Sequence, residues 1–342
     1  MKKLLMILSV ICSSNMLIAQ EAFLIKNFKG DAVKEVESTT SGGNISVEST
    51  SADQQRVEVF IWPSNRNKGS LSKEEIQKRL DELYDLTVEV AGSKLTAVAK
   101  PKQRNMNWKN GLSISFKIFV NKEVATELTT SGGNIDLRAI SGVQKITTSG
   151  GNLTVDNVKG KLKGVTSGGN IEVKDSDEDI DLATSGGNID ANNCTGKIKL
   201  STSGGNVFLV NLSGDVAVTT SGGDVRANEI SGDLDAHTSG GNVDLANLAC
   251  NLTAGTSGGD VKVAIKEPGK FVKLSNSGGK IELQLPAGKG YDLDLSADKI
   301  KTDTLVNFSG KVEDDELKGT LNGGGTKVTA NAGGNKIVLT FK

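Results

Sequence analysis

From Ser131 onward the chain alternates apolar and polar residues in blocks that return every 18 positions. Each block can be numbered from its Ser, so that the first runs from Ser131 to Thr148. Position 5 reads Ile135, Leu153, Ile171, Ile189, Val207, Val225, Val243 and Val261, and position 7 reads Leu137, Val155, Val173, Ala191, Leu209, Ala227, Leu245 and Val263. Position 6 between them is Asp136, Thr154, Glu172, Asp190, Phe208, Arg226, Asp244 and Lys262, the period-two pattern of a strand with one buried face. A second strand follows, with buried columns at position 14 (Gln144, Leu162, Ile180, Ile198, Val216, Leu234, Leu252) and position 16 (Ile146, Gly164, Leu182, Leu200, Val218, Ala236, Ala254). Gln144 and Gly164 interrupt these columns.

The punctuation between strands is as regular. TSGGN or TSGGD occurs with its Thr at 130, 148, 166, 184, 202, 220, 238 and 256, and a second turn, often Ser-Gly as in Ser141-Gly142, Ser213-Gly214 and Ser231-Gly232, divides each block. An altered copy, NSGGKIEL, begins at Asn276, and an isolated forerunner, TSGGNISV, begins at Thr40. A fixed period of strand, turn, strand, turn predicts stacked rungs. Like strands then pair in parallel at ~4.8 Å per rung in two sheets ~10 Å apart. The predicted fold is therefore all-β, a flattened parallel β-solenoid of two-strand, 18-residue rungs.

In the TSGGN corner the paired glycines are expected to supply positive φ angles for a sharp reversal. The Asn or Asp tolerates the same angles and can bond its equivalent one rung away. The Thr shares the parity of positions 14 and 16 and should face inward, its hydroxyl bonded locally. Every member of the motif then has a structural role. A calcium β-roll would need a second Gly-Gly and an Asp at each turn. An ice-binding ladder would need outward Thr pairs, whereas position 17 runs through Thr147, Val165, Ala183, Ser201, Thr219, His237 and Gly255.

The segments outside the repeat complete the organisation. Residues 1–20, MKKLLMILSVICSSNMLIAQ, combine two Lys, an apolar run and a small-residue exit at Ala19, and read as a signal peptide. Cys12 follows a bulky Ile11, which argues against lipidation there. No later run has the ~20 apolar residues of a membrane span. Residues 21–128 read as early coils with an inserted cap, 129–276 as regular rungs, and 277–342 as irregular C-terminal rungs and a cap. In SLSKEEIQKRLDELYDL, Ser72 and Glu75 have capping-box spacing and Ile76, Leu80, Leu83 and Leu86 form one stripe, which predicts one N-terminal helix. Such caps are needed because a solenoid otherwise ends in unpaired strand edges.

Composition narrows the function. Lys plus Arg total 40 against 41 Asp plus Glu, so no excess positive charge recruits nucleic acid. His237 is the single His, which excludes a Ser-His-Asp triad and a multi-His zinc site. DSDEDID, from Asp175 to Asp181, reads as a solvated turn between strands rather than a cation site. Trp62 and Trp108 read as buried beneath the cap, with stacking on a sugar ring as the alternative. Cys194 and Cys250 fall three rungs apart, ~14 Å by strand spacing, beyond the ~7 Å reach of a disulfide. No catalytic residue, metal site or cofactor is assigned. The one candidate contact patch is Phe208 with Val210, the rung where both outward positions of the first strand are large and apolar.

The order LSISFKIFVNKEVATELTTSGGNIDL, then stacked SGGN or SGGD rungs, then IELQLPAGKGYDLDLSAD and GTLNGGGTKVTANAGG, resembles the bacterial putative-adhesin β-solenoids, exported domains of unknown function related to the head-GIN type. Asn121 stands where that family often has Pro. The resemblance implies an exported parallel β-solenoid without catalytic residues. The functional expectation is a non-enzymatic envelope or surface binding protein that presents a solenoid face to a glycan or other cell-surface component. A polysaccharide-active β-helix enzyme and a passive spacer are the alternatives. Because the Asp-rich turns of a calcium β-roll are absent, thermal melts with and without a chelator should overlay; a chelator-induced loss of structure would contradict the reading.

Overall fold

The computed structural model describes residues 21–28, 33–64, 71–103 and 110–342. The expected signal peptide with Cys12, and Trp108, lie outside these residues. The 18-residue blocks form a parallel β-solenoid in strict register: Leu153 pairs with Ile135 and Ile171, and the same offset carries Val225 onto Val243. The apolar columns at positions 5, 7, 14 and 16 are buried along the whole stack. Gln144 is buried with both amide atoms satisfied, donating from Nε2 to the Val124 carbonyl at 2.8 Å and accepting from Thr126 Oγ1 at 2.7 Å. At Gly164 an added Cβ would come within 2.6 Å of Leu182 and 3.0 Å of Ile146, so larger neighbours occupy its space.

The turn within the rung differs from expectation. Position 9 carries the left-handed residue, with φ between 51° and 60° at Ala139, Asn157, Asp175, Asn193, Asn211, Glu229 and Asn247. Position 10 then turns inward as a fifth buried column of Ile140, Val158, Ser176, Cys194, Leu212, Ile230 and Leu248. The expected Ser-Gly turn is instead the start of the second strand, which runs Ser141–Thr148 in the first rung. Its glycines at position 12 do adopt positive φ, 102° to 123°, and kink that strand.

The TSGGN corner is also built differently from the expected positive-φ reversal. Among the described glycines with positive φ, none is a corner glycine between Gly132 and Gly259. The third position must lack a side chain because successive rungs approach too closely: a Cβ at Gly151 would lie 1.8 Å from the Gly133 carbonyl oxygen, and one at Gly169 1.9 Å from that of Gly151. At the second position there is room, the nearest atom to a Cβ at Gly168 being 3.7 Å away. The buried Thr hydroxyl spans the close approach. Thr148 Oγ1 donates to the Gly133 carbonyl at 2.9 Å and accepts from the Gly151 amide at 3.3 Å, an arrangement repeated down to Thr256. Beside it the position-4 side chains form a ladder, each Oδ1 accepting the backbone N–H of its equivalent in the next rung, from Asn44 to Asn134 at 2.9 Å through Asp260 to Lys280 at 3.0 Å. Asn276, which replaces Thr in the last copy, reproduces the clasp with its amide, giving to Gly259 and receiving from Gly278 and Gly279.

Both ends stop the stack in the same way. At the N-terminal end the forerunner rung, strands Glu35–Thr40 and Ile45–Ser49, lies directly against Ala125–Thr130 and Ile135–Arg138. Its other side carries Lys94–Pro101 and Leu112–Val120 in parallel, a rung later in sequence but further out in space. Antiparallel strands Tyr84–Ala91 and Arg56–Pro63 then flank that rung, and Leu24–Asn27 flanks the latter. Helix Lys73–Leu83 covers this end, with Ser72 Oγ accepting from the Glu75 amide and Leu80 buried. The stripe residue Leu86 falls in strand Tyr84–Ala91 instead of the helix. Trp62, expected beneath the cap, is half-buried on the outward side of Arg56–Pro63, alternating with buried Val57, Val59 and Ile61. At the C-terminal end Thr326–Phe341 inserts between Phe271–Asn276 with Ile281–Leu285 on one side and Tyr291–Thr302 on the other. Antiparallel Glu316–Leu321 and Phe308–Val312 close the edge.

Two predictions follow from the stacking. Gly169→Ala should destabilise by about 3 kcal/mol or more, because two backbones must separate, whereas Gly168→Ala should stay within about 0.5 kcal/mol. Equal melting temperatures for the two variants would refute the close-approach account. Cys194 and Cys250 are both buried and free, and burial pushes their thiols up to about 11 and about 12 respectively. A thiol reagent at pH 8 should therefore leave the native protein without residues 1–20 largely unmodified, and titrate two thiols once it is denatured. Rapid native labelling, or fewer than two thiols in the denatured monomer, would count against this arrangement.

Candidate binding face on the short-strand sheet

The first strand of each rung is only four residues long in the early repeats, Ile135–Arg138, Leu153–Asp156, Ile171–Lys174 and Ile189–Asn192. Its outward positions 6 and 8 stack into two parallel columns. In the N-terminal half these columns are mostly charged, and Lys174 pairs with Asp156 at 3.4 Å. Burial pushes the Asp136 and Asp190 carboxyls up from their usual range, with Glu172 adding to the effect at Asp190.

The character of the face changes at Phe208 and Val210. In register Phe208 lies between Asp190 and Arg226, and Val210 between Asn192 and Asn228. Val210 is 41% exposed, while Phe208 is half-buried with the Arg226 guanidinium 5.7 Å from its ring centroid. Arg226 is itself held by Asp224, Nη2 to Oδ2 at 2.9 Å. The Phe is thus a partly covered apolar surface with a cation fixed above it.

Beyond this pair, position 8 becomes small. Ala246 and Ala264 replace the Arg138, Asp156 and Lys174 of earlier rungs, and the sheet surface sinks into a trough. One hollow of about 210 Å³ lies among Phe208, Val210, Asn228 and Ala246; a second of about 500 Å³ continues over Ala246, Ala264, Gln284 and Thr340. The two share Asp244 and Ala246, so they join. Along one margin the position-6 column alternates in sign through Arg226, Asp244, Lys262 and Glu282, with Lys280 paired to Glu282 at 2.7 Å. The floor is uncharged, with Phe208, Val210, Ala246 and Ala264 interspersed with Asn228, Gln284 and Thr340, and the margin is charged. Reading the position-8 column down the rungs would have exposed the two alanines; Val338 and Thr340 were hidden because their strand enters the stack out of sequence order.

The DSDEDID carboxylates do not converge. Asp177 accepts from Thr195 Oγ1 at 2.8 Å and pairs with Lys159, the Thr hydrogen bond holding its carboxyl below the usual range, and Asp179 faces Lys161 at 3.7 Å. Among the described residues no group of three or more His, Cys, Asp or Glu side chains is arranged to hold a metal ion. His237 pairs with Asp235 on the exposed long-strand face, Nε2 to Oδ1 at 2.8 Å.

Residues 171–334 match the family model Toastrack DUF4097. That stretch, just under half of the chain, contains Phe208, Val210 and most of the trough, and the match agrees with the resemblance read from the sequence. Among solved structures, a putative cell adhesion protein from Clostridium sporogenes aligns at 11% identity over 93% of this chain and 98% of its own, with a TM-score of 0.20. A putative adhesin from Bacteroides fragilis aligns at 14% identity over 93% of this chain and 96% of its own, with a TM-score of 0.26. At that level of superposition neither structure informs this chain's surface. A comparison with curated proteins finds no match. No helix among the described residues is long and apolar enough to cross a membrane.

Proposed function

We propose that the protein is a non-enzymatic binding protein of the cell envelope or surface, exported by its first 20 residues, that uses the trough headed by Phe208 and Val210 to hold a glycan or another envelope component. The observation that carries this reading is the change at position 8 of one sheet face from charged residues, including the Lys174–Asp156 pair, to an uncharged hollow with an alternating charged margin. A rigid parallel sheet cannot close over a ligand, so it suits an extended partner laid along the rungs. The partly covered Phe208 ring and the small residues give contact area, and the fixed charges give orientation. The family match adds a solenoid domain without an assigned reaction.

The double variant Phe208→Ser/Val210→Ser should lower stability by less than about 1.5 kcal/mol, since one side chain is exposed and the other sits at the surface under Arg226. Ala264→Arg should fill the trough from its floor. Both variants, without residues 1–20, would be compared with the parent on arrayed bacterial polysaccharides and peptidoglycan fragments. Binding by the parent that both variants lose supports the trough. Binding that both retain, or no binding by the parent, refutes it.

A further inference from the structure

The long-strand sheet, on the side of the solenoid opposite the trough, carries a banded charge pattern over the six rungs from Ser131 to Thr238, all of whose residues are described. Its charged outward columns are positions 13 and 15. The first two rungs are positive, with Lys145 and then Lys161 and Lys163. The third is negative, with Asp179 and Asp181, and the fourth is positive, with Lys197 and Lys199. The fifth and sixth are negative, with Asp215 and then Asp233 and Asp235. Within one chain this order sets Lys145 beside Lys163 and Asp215 beside Asp233, both unfavourable. It also leaves Lys163, Asp181, Lys197, Lys199 and Asp215 without an ion pair among the described residues. Yet the order has a symmetry: read backwards from the sixth rung, every sign inverts.

We propose that this face is the interface of an isologous dimer. A second copy lies face to face with the first and antiparallel to it, about a two-fold axis that runs along the strands between the third and fourth rungs. The third rung then faces the partner's fourth, the second its fifth and the first its sixth, with like positions opposed. Asp179 and Asp181 meet the partner's Lys197 and Lys199, Lys161 meets the partner's Asp215, and Lys145 meets the partner's Asp235. Symmetry makes each contact twice, and no like charges are opposed in these rungs. The axis has no other place. Shifted one rung toward the N-terminal end it sets Lys145 on Lys199, and one rung the other way it sets Asp179 and Asp181 on Asp233 and Asp235. An axis through the third or fourth rung sets that rung's charges on their own copies. The remaining outward column, position 17, carries Thr147, Val165, Ala183, Ser201 and Thr219 across the first five rungs, small enough to let the sheets approach. Val143 and Val165, 57% and 40% exposed, are covered by the contact. Six rungs of eight-residue strands present ~750 Å² per partner, near the ~800 Å² of a standard interface. The inference goes beyond the trough and does not rest on it. The dimer leaves both short-strand faces outward, so any site there is displayed twice.

Sedimentation velocity of the protein without residues 1–20 should show a dimer at high micromolar concentration in low salt. Its dissociation constant should rise tenfold or more in half-molar salt, which screens exposed charges. Lys197→Glu/Lys199→Glu sets acid against acid across the axis and should leave a monomer, as should Asp179→Lys/Asp181→Lys. Mixing these two variants restores opposite charges at both contacts and should return a dimer containing one chain of each. Phe208→Ser/Val210→Ser should dimerise like the parent. Circular dichroism checks that each variant is folded; if a double reversal is not, Lys161→Glu and Asp215→Lys, alone and mixed, repeat the exchange at the second and fifth rungs. A parent that stays monomeric in low salt, folded reversal variants that dimerise like the parent, or a mixture that stays monomeric would overturn the interface.

Discussion

The close approach of successive backbones at the third corner position is the contact on which the rest of the solenoid depends. With no side chain at Gly133, Gly151 and their equivalents, one rung's carbonyl comes so near the next that a Cβ has no place. The Thr hydroxyl fills the angle between the Gly133 carbonyl and the Gly151 amide, satisfying two buried backbone groups that the turn would otherwise strand. The asparagine ladder repeats the link one residue later. Three residues of one corner therefore fix the same vertical offset, and every strand between corners inherits it. This is why the repeat admits no insertion over its regular stretch: an extra residue would move a side chain into the glycine column or turn a strand's buried face outward.

A stack held so regularly has no internal reason to stop. It stops because the pairing changes direction. At each end one rung enters out of sequence order: Lys94–Pro101 with Leu112–Val120 is covered directly by antiparallel strands, and Thr326–Phe341 is followed by one more parallel strand, Tyr291–Thr302, whose far side takes the antiparallel Glu316–Leu321. An antiparallel strand cannot carry the corner ladder forward, so the next parallel rung has no template. The helix adds a further cover at the N-terminal end, and Tyr84 at its C-terminus locks it down by exchanging two hydrogen bonds with Leu112. Four of the seven large apolar residues exposed among the described residues, Leu24, Ile25, Val306 and Val312, lie at these ends, so burial is least complete where the stack is interrupted.

Position by position, the sequence revealed what periodicity encodes. The columns at positions 5, 7, 14 and 16, the inward Thr, the inter-rung Asn bond and the Ser72 cap all follow from residue types at fixed offsets. Position 10 escaped because Ser-Gly at 11 and 12 looks like a turn, while the actual left-handed residue at 9 is often Asn, as at Asn157 and Asn193, but also Ala139 and Glu229. The corner glycines were right in identity and wrong in cause, since a need for positive φ and a need for bare backbone select the same residue. Spatial order at the ends was illegible: nothing local in TKVTANAGGNKIVLTF states that it packs between Phe271–Asn276 with Ile281–Leu285 on one side and Tyr291–Thr302 on the other. The wall of the trough formed by Val338 and Thr340 was hidden with it.

In-register stacking also places like residues of adjacent rungs one above another, which is costly for charges. On the long-strand face three rungs alternate in sign: Lys161 and Lys163 face Asp179 and Asp181, which face Lys197 and Lys199, and Glu127 meets Lys145 at 3.1 Å. Elsewhere like charges do stack, Lys145 on Lys163 and Asp215 on Asp233. Exposed pairs of this kind add little stability each, so the corner, not the surface charge, keeps the register. On the short-strand face position 8 carries no charge from Asn192 through Val210, Asn228 and Ala246 to Ala264, while position 6 stays charged from Arg226 onward. Residues there are released from register keeping, which the corner below them already secures. A surface freed from structural duty within an otherwise constrained repeat is where a binding function can vary without cost to the fold.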